Sequence, residues 1–330
     1  MQALWKSRIY LTKRPPKDAI QTLIRFRCLS SSNQKNMKVV IGGGTGFVGK
    51  RLKNTLKAKG YDVQIISRTK GVGKITWDEV SASGLPDCTA VVNLAGENIL
   101  NPLRRWNEKY EEDIRRSRVD TTKLLAEKIA AAENPPKVFV SSSAVGYYPP
   151  SETAEYTEDT PPSDQDTLTC LCRDWEASAE LPESCKTRLA TVRIGVVLGK
   201  EGGIVQQTIW PFWLGVGGVV GSGNQAFPWI HVQDICDIIV FAIENDHVTG
   251  VLNGVAPEIS TNRDYTNQLA SALHRPAIFP VPAFMINAVF GSVRGMIMLQ
   301  GQKVIPKRTL KLGYSFKFPD LKSAIENAIR

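Results

Sequence analysis

The chain has 330 residues, and 42% of them are hydrophobic. This length and composition allow a full-sized core in one large domain or in two closely joined ones. The formal net charge of +9 comes mainly from the N-terminus: residues 1–36 contain eight Lys or Arg against the single Asp18, whereas residues 37–330 contain 33 against 31 acidic residues. A nearly neutral body lacks the basic face that nucleic-acid binding needs, so we expect no nucleic-acid partner.

The N-terminal segment, residues 1–36, is rich in Arg and Lys and ends in a serine cluster. Ile20, Leu23 and Ile24 follow helical spacing beside arginines, a pattern that resembles a mitochondrial transit peptide. A disordered basic tail on a cytosolic protein is the alternative. We therefore expect a mitochondrial matrix protein if the segment is present, and a cytoplasmic one if translation starts at Met37.

The sequence indicates neither a metal site nor a membrane span. The best candidate for a span, 283–299, is interrupted by Arg294 and falls short of the roughly 18 apolar residues that cross a bilayer. The six cysteines form no CxxC pair and have no histidine at zinc-like spacing, so we expect reduced thiols. They are Cys28, Cys88, Cys170, Cys172, Cys185 and Cys236.

From residue 38 onward, short β-branched runs alternate with helical segments. The run KVVIG (38–42) is followed by helical spacing over 46–59, in which Val48, Leu52 and Leu56 face inward. This alternation predicts an α/β fold with a doubly wound parallel sheet, the Rossmann fold. Further strands are predicted at 61–67, 90–95, 137–143 and 189–199, with a long charged helix at about 104–132.

The character of the chain changes after the strand at 189–199. Residues 202–234 are dense in Gly, Trp and Pro, as expected of loops that wrap a ligand. Helical patterns return at 234–245 and 262–274, and a helix at 320–329 closes the chain. We predict three parts: a tail at 1–36, a main domain at 37–275 and a smaller C-terminal module at 276–330.

The sequence GGGTGFVG (42–49) lies at the turn from the first strand into the first helix. Unpaired N–H groups and the positive end of the helix dipole can hold a phosphate there. Gly43 supplies the tight turn, Gly46 the close approach to a pyrophosphate, and Gly49 the close contact of helix and strand. The pattern predicts a dinucleotide site, and a glycine-rich turn without a ligand is the alternative. The residues assigned to the site are Gly43, Gly44, Thr45, Gly46, Phe47, Val48 and Gly49.

The end of the second strand indicates which dinucleotide is bound. NAD-binding chains carry an acidic residue there for the adenosine ribose, whereas this chain has Ser67 and Arg68, with Asp62 at the opposite end of the strand. A guanidinium and a hydroxyl pair well with a 2′-phosphate, so NADP(H) is the predicted cofactor. The small residues after a later strand would let the backbone approach the nucleotide: Leu94, Ala95 and Gly96.

Several longer motifs support a family resemblance over 37–330, among them SSAVGYY (142–148), RIGVVLG (193–199) and PWIHVQD (228–234). The chain resembles the extended short-chain dehydrogenase/reductases, and within them the atypical epimerase-like branch found in bacteria, plastids and mitochondria. The resemblance implies an NADP-binding epimerase-like domain followed by an epimerase-associated C-terminal module. It also implies that Ser67, Arg68, Leu94, Ala95, Asp113, Arg118 and Val196 contact the nucleotide.

The chain departs from this family at the proton donor. Active members use a Tyr as acid and base, with a Lys four residues later and a Ser or Thr that holds the substrate oxygen. No tyrosine of this chain is followed by Lys at the fourth position. Aligning the sequences on Glu176 puts Leu168 at the Tyr position and Cys172 at the Lys position, so the usual donor is absent.

The remaining catalytic candidates lie at the end of the strand predicted at 137–143 or just after it. We rank Ser143 first, because it lies where the family holds its substrate hydroxyl, then Tyr147 and Ser142. Satisfied polar residues at a strand end are the alternative for the serines. Tyr147 and Tyr148 would reach the nicotinamide face, although paired aromatic residues in such a loop more often pack.

Other conspicuous residues have structural interpretations of equal or greater weight. His231 has an unperturbed pKa near neutrality, but a histidine between Ile230 and Val232 is more often structural, and Asp234 is predicted to cap the following helix. Four aromatic residues line a substrate cleft or pack in the core: Trp210, Trp213, Phe227 and Trp229.

These features leave two functional hypotheses open. The first is an NADP(H)-binding oxidoreductase or epimerase-like enzyme that acts on a small substrate with a donor other than the Tyr–Lys pair. The second is a non-catalytic NADP(H) sensor or scaffold. Loss of the Tyr and Lys favours the sensor, whereas the serine pair and the aromatic residues favour the enzyme.

Overall fold

The computed structural model describes residues 37–101 and 104–330. The predictions for 1–36 therefore lie outside the described residues. The strands form where β-branched runs were expected, and several short strands join them. In chain order they are β1 (Lys38–Gly42), β2 (Asp62–Ser67), β3 (Lys74–Thr76), β4 (Ala90–Asn93), β5 (Val138–Ala144), β6 (Glu155–Tyr156), β7 (Arg188–Ile194), β8 (Val196–Gly199), β9 (Trp229–His231), β10 (Gly250–Gly254) and β11 (Lys303–Val304).

Helices fill most of the connections between these strands. The long helix predicted at about 104–132 is divided by a π-helical turn at Arg116–Asp120, and a 3₁₀ turn at Val145–Tyr147 follows β5. The α-helices are α1 (Phe47–Ala58), α2 (Trp77–Ser83), α3 (Glu108–Arg115), α4 (Thr121–Ala130), α5 (Thr167–Ala177), α6 (Gly203–Trp213), α7 (Val232–Glu244), α8 (Asn262–Leu273), α9 (Ala283–Leu299), α10 (Lys307–Lys311) and α11 (Leu321–Ile329).

Within the described part of the chain, seven strands pair in parallel in the order β10-β7-β5-β4-β1-β2-β3. Successive strands run outward from β1 through β2 to β3, and the chain then returns to place β4 on the other side of β1. The predicted doubly wound parallel sheet is therefore confirmed. Ligands of such sheets bind where the order reverses, at the carboxyl ends of the two central strands.

The sheet is buried on both faces, as a parallel sheet with helices on each side requires. On one face Ile41 packs in a cluster with Leu52 and Leu56 of α1, as predicted. On the other face Phe139 packs in a cluster with Leu125 of α4. Alternate residues of each strand thus face different helices, and this alternation decides where the polar residues at the strand ends point.

Two sequence-based assignments are wrong. The strand predicted at 189–199 divides at Gly195 into β7 and β8, because a Cβ at Gly195 would lie 2.4 Å from Pro228 O and the Val196 N–H donates to that same oxygen. The segment predicted as ligand-wrapping loops contains α6, a helix with Pro211 inside it. Its buried residues, Val205 and Phe212, belong to the second core cluster.

The C-terminal segment is tied to the sheet through a buried carboxylate. Glu158 accepts hydrogen bonds from the N–H groups of Asn253 in β10 and of Arg308 and Thr309 in α10. Farther along, α11 packs with α8 in one apolar cluster. These contacts bring the last fifty residues to the carboxyl edge of the main sheet.

Candidate functional site

The carboxyl ends of β1 and β4 meet at the switch point of the sheet. Leu94 N donates to Gly42 O at 2.9 Å, so the two strand ends lie side by side. Gly43 has φ +74°, and a Cβ built there would lie 2.4 Å from Leu94 O. Only glycine fits, because the backbone conformation and the neighbouring carbonyl both exclude a side chain.

This turn leads directly into the N-terminus of α1. Gly46 N donates to Gly43 O at 3.0 Å, and a Cβ at Gly49 would lie 2.4 Å from the same oxygen. At Gly46, by contrast, an added Cβ would meet Gly43 O at 3.4 Å and no other heavy atom within 4 Å among the described residues. No side chain caps α1. The resulting backbone cradle, with open space before Gly46 and free N–H groups behind it, fits a dinucleotide pyrophosphate.

A cleft of about 850 Å³ opens along this edge of the sheet. Its lining mixes cationic side chains with carboxylates, as a site for a charged nucleotide with several hydrogen-bonding groups requires. Nine predicted cofactor residues line the cleft: Gly43, Thr45, Gly46, Ser67, Arg68, Leu94, Ala95, Gly96 and Asp113. Six lie away from its surface: Gly44, Phe47, Val48, Gly49, Arg118 and Val196.

At the end of β2, the cleft presents a hydroxyl and a guanidinium. Ser67 is buried, and its Oγ accepts a hydrogen bond from Thr69 N at 3.3 Å. The side chain of Arg68 is 86% exposed and lies 3.7 Å from the carboxylate of Glu97. An exposed guanidinium is free to turn toward a phosphate, and Glu97 competes for it.

Glu97 is a cleft residue that the sequence reasoning missed. It follows β4, and its carboxylate lies within 3.7 Å of Arg68 and 4.0 Å of Arg104. Arg104 also pairs with Asp113 at 2.8 Å, and this hydrogen bond lowers the pKa of the Asp113 carboxyl. The cleft wall is thus a chain of alternating charges, in which Asp113 holds Arg104. No spacing in the sequence links these segments.

Arg118 supports the cleft from behind rather than lining it. Its guanidinium donates to Glu97 O at 2.9 Å and to Ile114 O at 3.2 Å, and burial lowers its pKa. A Cβ at Gly96 would lie 3.2 Å from Arg118 Cζ. Arg118 belongs to the π-helical turn, a feature that often occurs at functional sites. We interpret it as a residue that positions the loop after β4, and its contact with a nucleotide stays a prediction.

The other predicted cofactor residues have packing contacts. The ring of Phe47 lies against Gly199 and Gly202, where an added Cβ would approach it to 2.7 and 2.5 Å. Gly44 is packed against Ile65 in the same way, at 2.9 Å. Val48 packs against the core, and Val196 lines a second cavity. For these residues, contact with a nucleotide stays a prediction.

The serines at the end of β5 point to opposite faces of the sheet, because side chains alternate along a strand. Ser142 follows Val138 and Val140 toward α7, whereas Ser143 follows Phe139 toward α4. The Oγ of Ser143 is buried and has no hydrogen-bond partner among the described residues. A buried hydroxyl without a partner is costly, and a bound oxygen atom would satisfy it.

Arg193 lies beside Ser143 in the β5–β7 register and organises the tyrosine pair. It donates to both oxygens of Glu176 at 2.8 Å, and its guanidinium carbon lies 3.3 Å from the centre of the Tyr147 ring. Burial alone would lower the pKa of Arg193, but Glu176 more than reverses that effect. The Tyr148 hydroxyl accepts a hydrogen bond from Arg193 and donates one to Asn253 Oδ1, both at 2.8 Å. Its proton is therefore already engaged within the protein.

The positions of the missing Tyr and Lys adjoin the end of β5. A Cβ at Gly146 would lie 3.6 Å from Cys172 Sγ and 3.8 Å from Leu168 Cβ. Burial raises the pKa of the Cys172 thiol to about 12, so it stays protonated and cannot replace the ammonium of a lysine. Leu168 has no proton to give. The geometry therefore agrees with the alignment on Glu176.

A second cavity, of about 190 Å³, lies beyond β5. Val145, Gly146 and Leu168 form its end nearest the sheet. Apolar residues of α6 and α9 form much of the rest. Of the four aromatic residues considered for a substrate cleft, Phe227 lines this cavity, whereas Trp229 is in the core, and Trp210 and Trp213 are exposed.

His231 and Asp234 have structural roles. His231 Nδ1 accepts the N–H of Gln233 and caps α7, so the predicted cap at Asp234 is wrong. The Asp234 carboxylate instead accepts from Tyr314 Oη, Lys317 N and Phe318 N. Burial lowers the pKa of His231 to about 4. Neither residue lines the two cavities.

In residues 37–101 and 104–330, no three His, Cys, Asp or Glu side chains are grouped so that they could hold a metal ion. No helix in the same residues is both long and apolar enough to cross a membrane.

The sequence matches two family models. Residues 39–253 match the NAD dependent epimerase/dehydratase family, and residues 281–328 match a domain of unknown function, DUF1731. The chain is 52% identical to the human epimerase family protein SDR39U1 over 293 residues, which cover 89% of this chain and 100% of that relative. It is 38% identical to a chloroplastic SDR39U1 homologue of Arabidopsis thaliana over 316 residues, 91% of this chain and 89% of the relative.

Solved structures resemble the whole described fold. The crystal structure of human SDR39U1, isoform 2, with NADPH superposes with a TM-score of 0.87 at 51% identity, covering 89% of this chain and 99% of that chain. A nucleoside-diphosphate sugar epimerase of Corynebacterium glutamicum superposes with a TM-score of 0.73 at 28% identity, covering 94% of this chain and 63% of that chain.

Proposed function

The chain belongs to the NAD dependent epimerase/dehydratase family, and on this premise we propose that it is an NADP(H)-binding oxidoreductase or epimerase-like enzyme acting on a small substrate. One observation carries the proposal: two cavities open at the carboxyl edge of the same sheet, the nucleotide cleft beside β1 and β4 and the apolar cavity beyond β5. Cofactor and substrate can meet where the strands end. The human relative solved with NADPH supports the choice of cofactor.

Each residue has a distinct role in this proposal. When bound, NADP(H) supplies or accepts a hydride at its nicotinamide ring. The backbone at Gly46 holds the pyrophosphate, and Arg68 pairs with the 2′-phosphate. The Ser143 hydroxyl donates a hydrogen bond to the substrate oxygen, which accounts for a buried hydroxyl without a protein partner. With leucine at position 168, the proton comes from Ser143, from Tyr147 or from an ordered water.

Two measurements test the proposal. Titration of the purified chain with NADPH and NADH, followed by nicotinamide fluorescence, measures affinity and cofactor preference. Single-turnover mixing of the NADPH complex with a panel of aldehydes and ketones then measures hydride transfer. We expect a preference for NADPH and oxidation by at least one carbonyl compound. Failure to bind NADPH would refute both the cofactor and the enzyme.

A non-catalytic NADP(H) sensor is the second candidate, and the replacement of the Tyr–Lys pair by Leu168 and Cys172 favours it. A sensor binds NADPH and leaves it intact with every carbonyl in the panel, while its thermal stability or its partners change with the nucleotide. Binding with no oxidation, together with a nucleotide-dependent change in limited proteolysis, would favour the sensor over the enzyme.

We also propose that residues 1–36 direct the chain into mitochondria. The concentration of positive charge in this segment motivates the proposal. A fluorescent fusion of the whole chain should enter the matrix, whereas a fusion that starts at Met37 should stay in the cytoplasm. Import of the shorter fusion would contradict the proposal.

A further inference from the structure

We propose that the substrate is a small, uncharged and mainly apolar carbonyl compound or alcohol, held in the cavity of about 190 Å³ beyond β5. This inference rests on the proposed function, since it assigns the substrate side of the same site. It depends on three properties of the cavity: where it lies, which groups line it, and which of its polar atoms are already bonded.

The cavity lies next to the residues that would act on a substrate. Val145 and Gly146 line it and follow Ser143 on the chain, and Leu168 lines it from the position where the family carries its Tyr. Val196, at the start of β8, also lines the cavity. A ligand in this space would lie against the residues that directly follow β5. Ser143 is not itself on the lining, but its unpaired hydroxyl lies two residues before Val145.

The walls are apolar because two helices direct their apolar faces inward. In α6, Ile204, Thr208 and Phe212 recur every four residues and so share one face. The end of α9 supplies Met296, Ile297 and Met298. The flexible methionine side chains give a surface that adapts to apolar ligands.

The polar groups on the lining are largely occupied by one another. The hydroxyls of Thr208 and Tyr265 are paired at 2.7 Å. Gln225 Nε2 donates to Val220 O and to Met298 O, both at 3.0 Å. These groups brace the wall and leave few donors for a strongly polar ligand.

The charge of the lining argues against an anionic substrate. No Lys or Arg lines the cavity within the described residues, and its one carboxylate, that of Asp166, accepts the N–H groups of Leu168 and Thr169. An anion would lose its hydration without gaining a counter-ion, which weakens its binding. The side-chain amides of Gln300 and Gln302 are neutral and suit a carbonyl or hydroxyl group.

The size of the cavity also limits the ligand. An apolar protein cavity of about 150 Å³ binds benzene, so about 190 Å³ accommodates a ring with a short polar substituent. A nucleoside diphosphate sugar is much larger and carries two negative charges. The substrate class therefore differs from that of the nucleotide-sugar epimerases that share the fold.

Acetophenone and 4-acetylbenzoate test the inference as a matched neutral and anionic pair. Isothermal titration into the NADP⁺-saturated chain should show acetophenone binding about tenfold or more tightly than 4-acetylbenzoate, with no displacement of acetophenone by UDP-glucose. Equal or tighter binding of the anion, displacement by UDP-glucose, or no binding of acetophenone would overturn it. If acetophenone binds but does not oxidise NADPH in single-turnover mixing, the apolar site is upheld and the proposed hydride transfer is contradicted.

Two variants of one helix residue locate the ligand. Leu168→Trp should weaken acetophenone binding about tenfold by filling the cavity, whereas Leu171→Trp, on the same helix but off the lining, should not. Leu168→Ala enlarges the space and should improve binding of 1-tetralone relative to acetophenone. NADPH affinity and the thermal midpoint serve as controls. Equal effects of the Trp variants, or no change in preference for Leu168→Ala, would contradict the assigned site.

Discussion

The guanidinium carbon of Arg193 lies 3.3 Å from the centre of the Tyr147 ring, while its nitrogens pair with Glu176. The same arginine is in register with Ser143. A permanent cation thus lies beside the catalytic candidates at the end of β5, although the family's Lys position holds a protonated cysteine. Its hydrogen bonds to Glu176 hold it in place. Burial raises the pKa of Tyr147 and outweighs the charge of Arg193, which lowers it, and Glu176 opposes Arg193, so the pKa of Tyr147 is raised overall.

Catalysis should depend on Ser143. Because its buried hydroxyl lacks a protein partner, Ser143→Ala should slow single-turnover NADPH oxidation about 10²-fold with little effect on NADPH affinity. Ser142→Ala tests the third candidate, and we expect a smaller effect because Ser142 points to the opposite face of the sheet. Tyr147→Phe tests the second candidate. Full rates in both Ser143→Ala and Tyr147→Phe would move the chemistry elsewhere or favour the sensor.

Removing both charges of the Arg193–Glu176 ion pair should destabilise the fold less than the sum of the two single substitutions. Their side chains are only 3% and 14% exposed, so Arg193→Met leaves a buried carboxylate and should cost about 3–5 kcal/mol in the free energy of unfolding. The double variant with Glu176→Met should recover part of that loss, because no charge remains buried. Urea unfolding measures each variant, and a double variant as unstable as the sum of the singles would rule out the pairing.

Arg68 should determine cofactor choice. If its guanidinium pairs with the 2′-phosphate, Arg68→Ala should weaken NADPH binding by about 1.5–3 kcal/mol and leave NADH nearly unchanged. Lys70→Ala is the control, since it removes a neighbouring positive charge that pairs with Glu79 outside the cleft. Equal affinity of the unmodified chain for NADPH and NADH would contradict the assignment.

Gly46 and Gly43 should respond differently to alanine. At Gly46 the nearest atom to an added Cβ is 3.4 Å away, so Gly46→Ala should keep its thermal midpoint but lose about tenfold in NADPH affinity, because the methyl group occupies the space of the pyrophosphate. Gly43→Ala should lose both stability and affinity, since its Cβ would lie 2.4 Å from Leu94 O. Unchanged NADPH affinity in Gly46→Ala would argue against a phosphate at this turn.

The free energy of unfolding should depend on pH because of His231. Burial, assisted by the charge of Arg51, lowers the pKa of His231 in the folded state to about 4, against about 6.5 when unfolded. The unfolded state therefore binds more protons between these values, and about 3 kcal/mol of stability present above pH ~6.5 is lost as the pH falls toward ~4. His231→Asn keeps an acceptor for Gln233 N and should reduce this slope. Urea unfolding from pH 7 to pH 4 would show it, and identical slopes would contradict the cause.

The local sequence pattern was sufficient to predict the strand and helix that form the first half of the proposed nucleotide site. Residues 38–42 form the predicted strand, and the helix predicted over 46–59 spans Phe47–Ala58. Buried residues recur with the helical period in the helix and form a continuous apolar run in the strand. About a dozen neighbouring positions are therefore enough to identify each element. The roles of Gly43 and Gly49 followed because a tight turn and a close helix contact both require a missing side chain.

Only the tertiary structure decided the substrate side and the wall of the cleft. Gly195 ends a strand because Pro228 O lies against it. The Glu97 carboxylate lies near the guanidinium groups of Arg68 and Arg104, which belong to separate segments of the chain. The apolar cavity is assembled from helices α5, α6, α8 and α9, whose residues are distant in the chain. A periodic pattern reports which side of an element is apolar, but it does not report which other element that side meets. Packing across such separations therefore determined the enclosed space, and with it the chemistry that the site can admit.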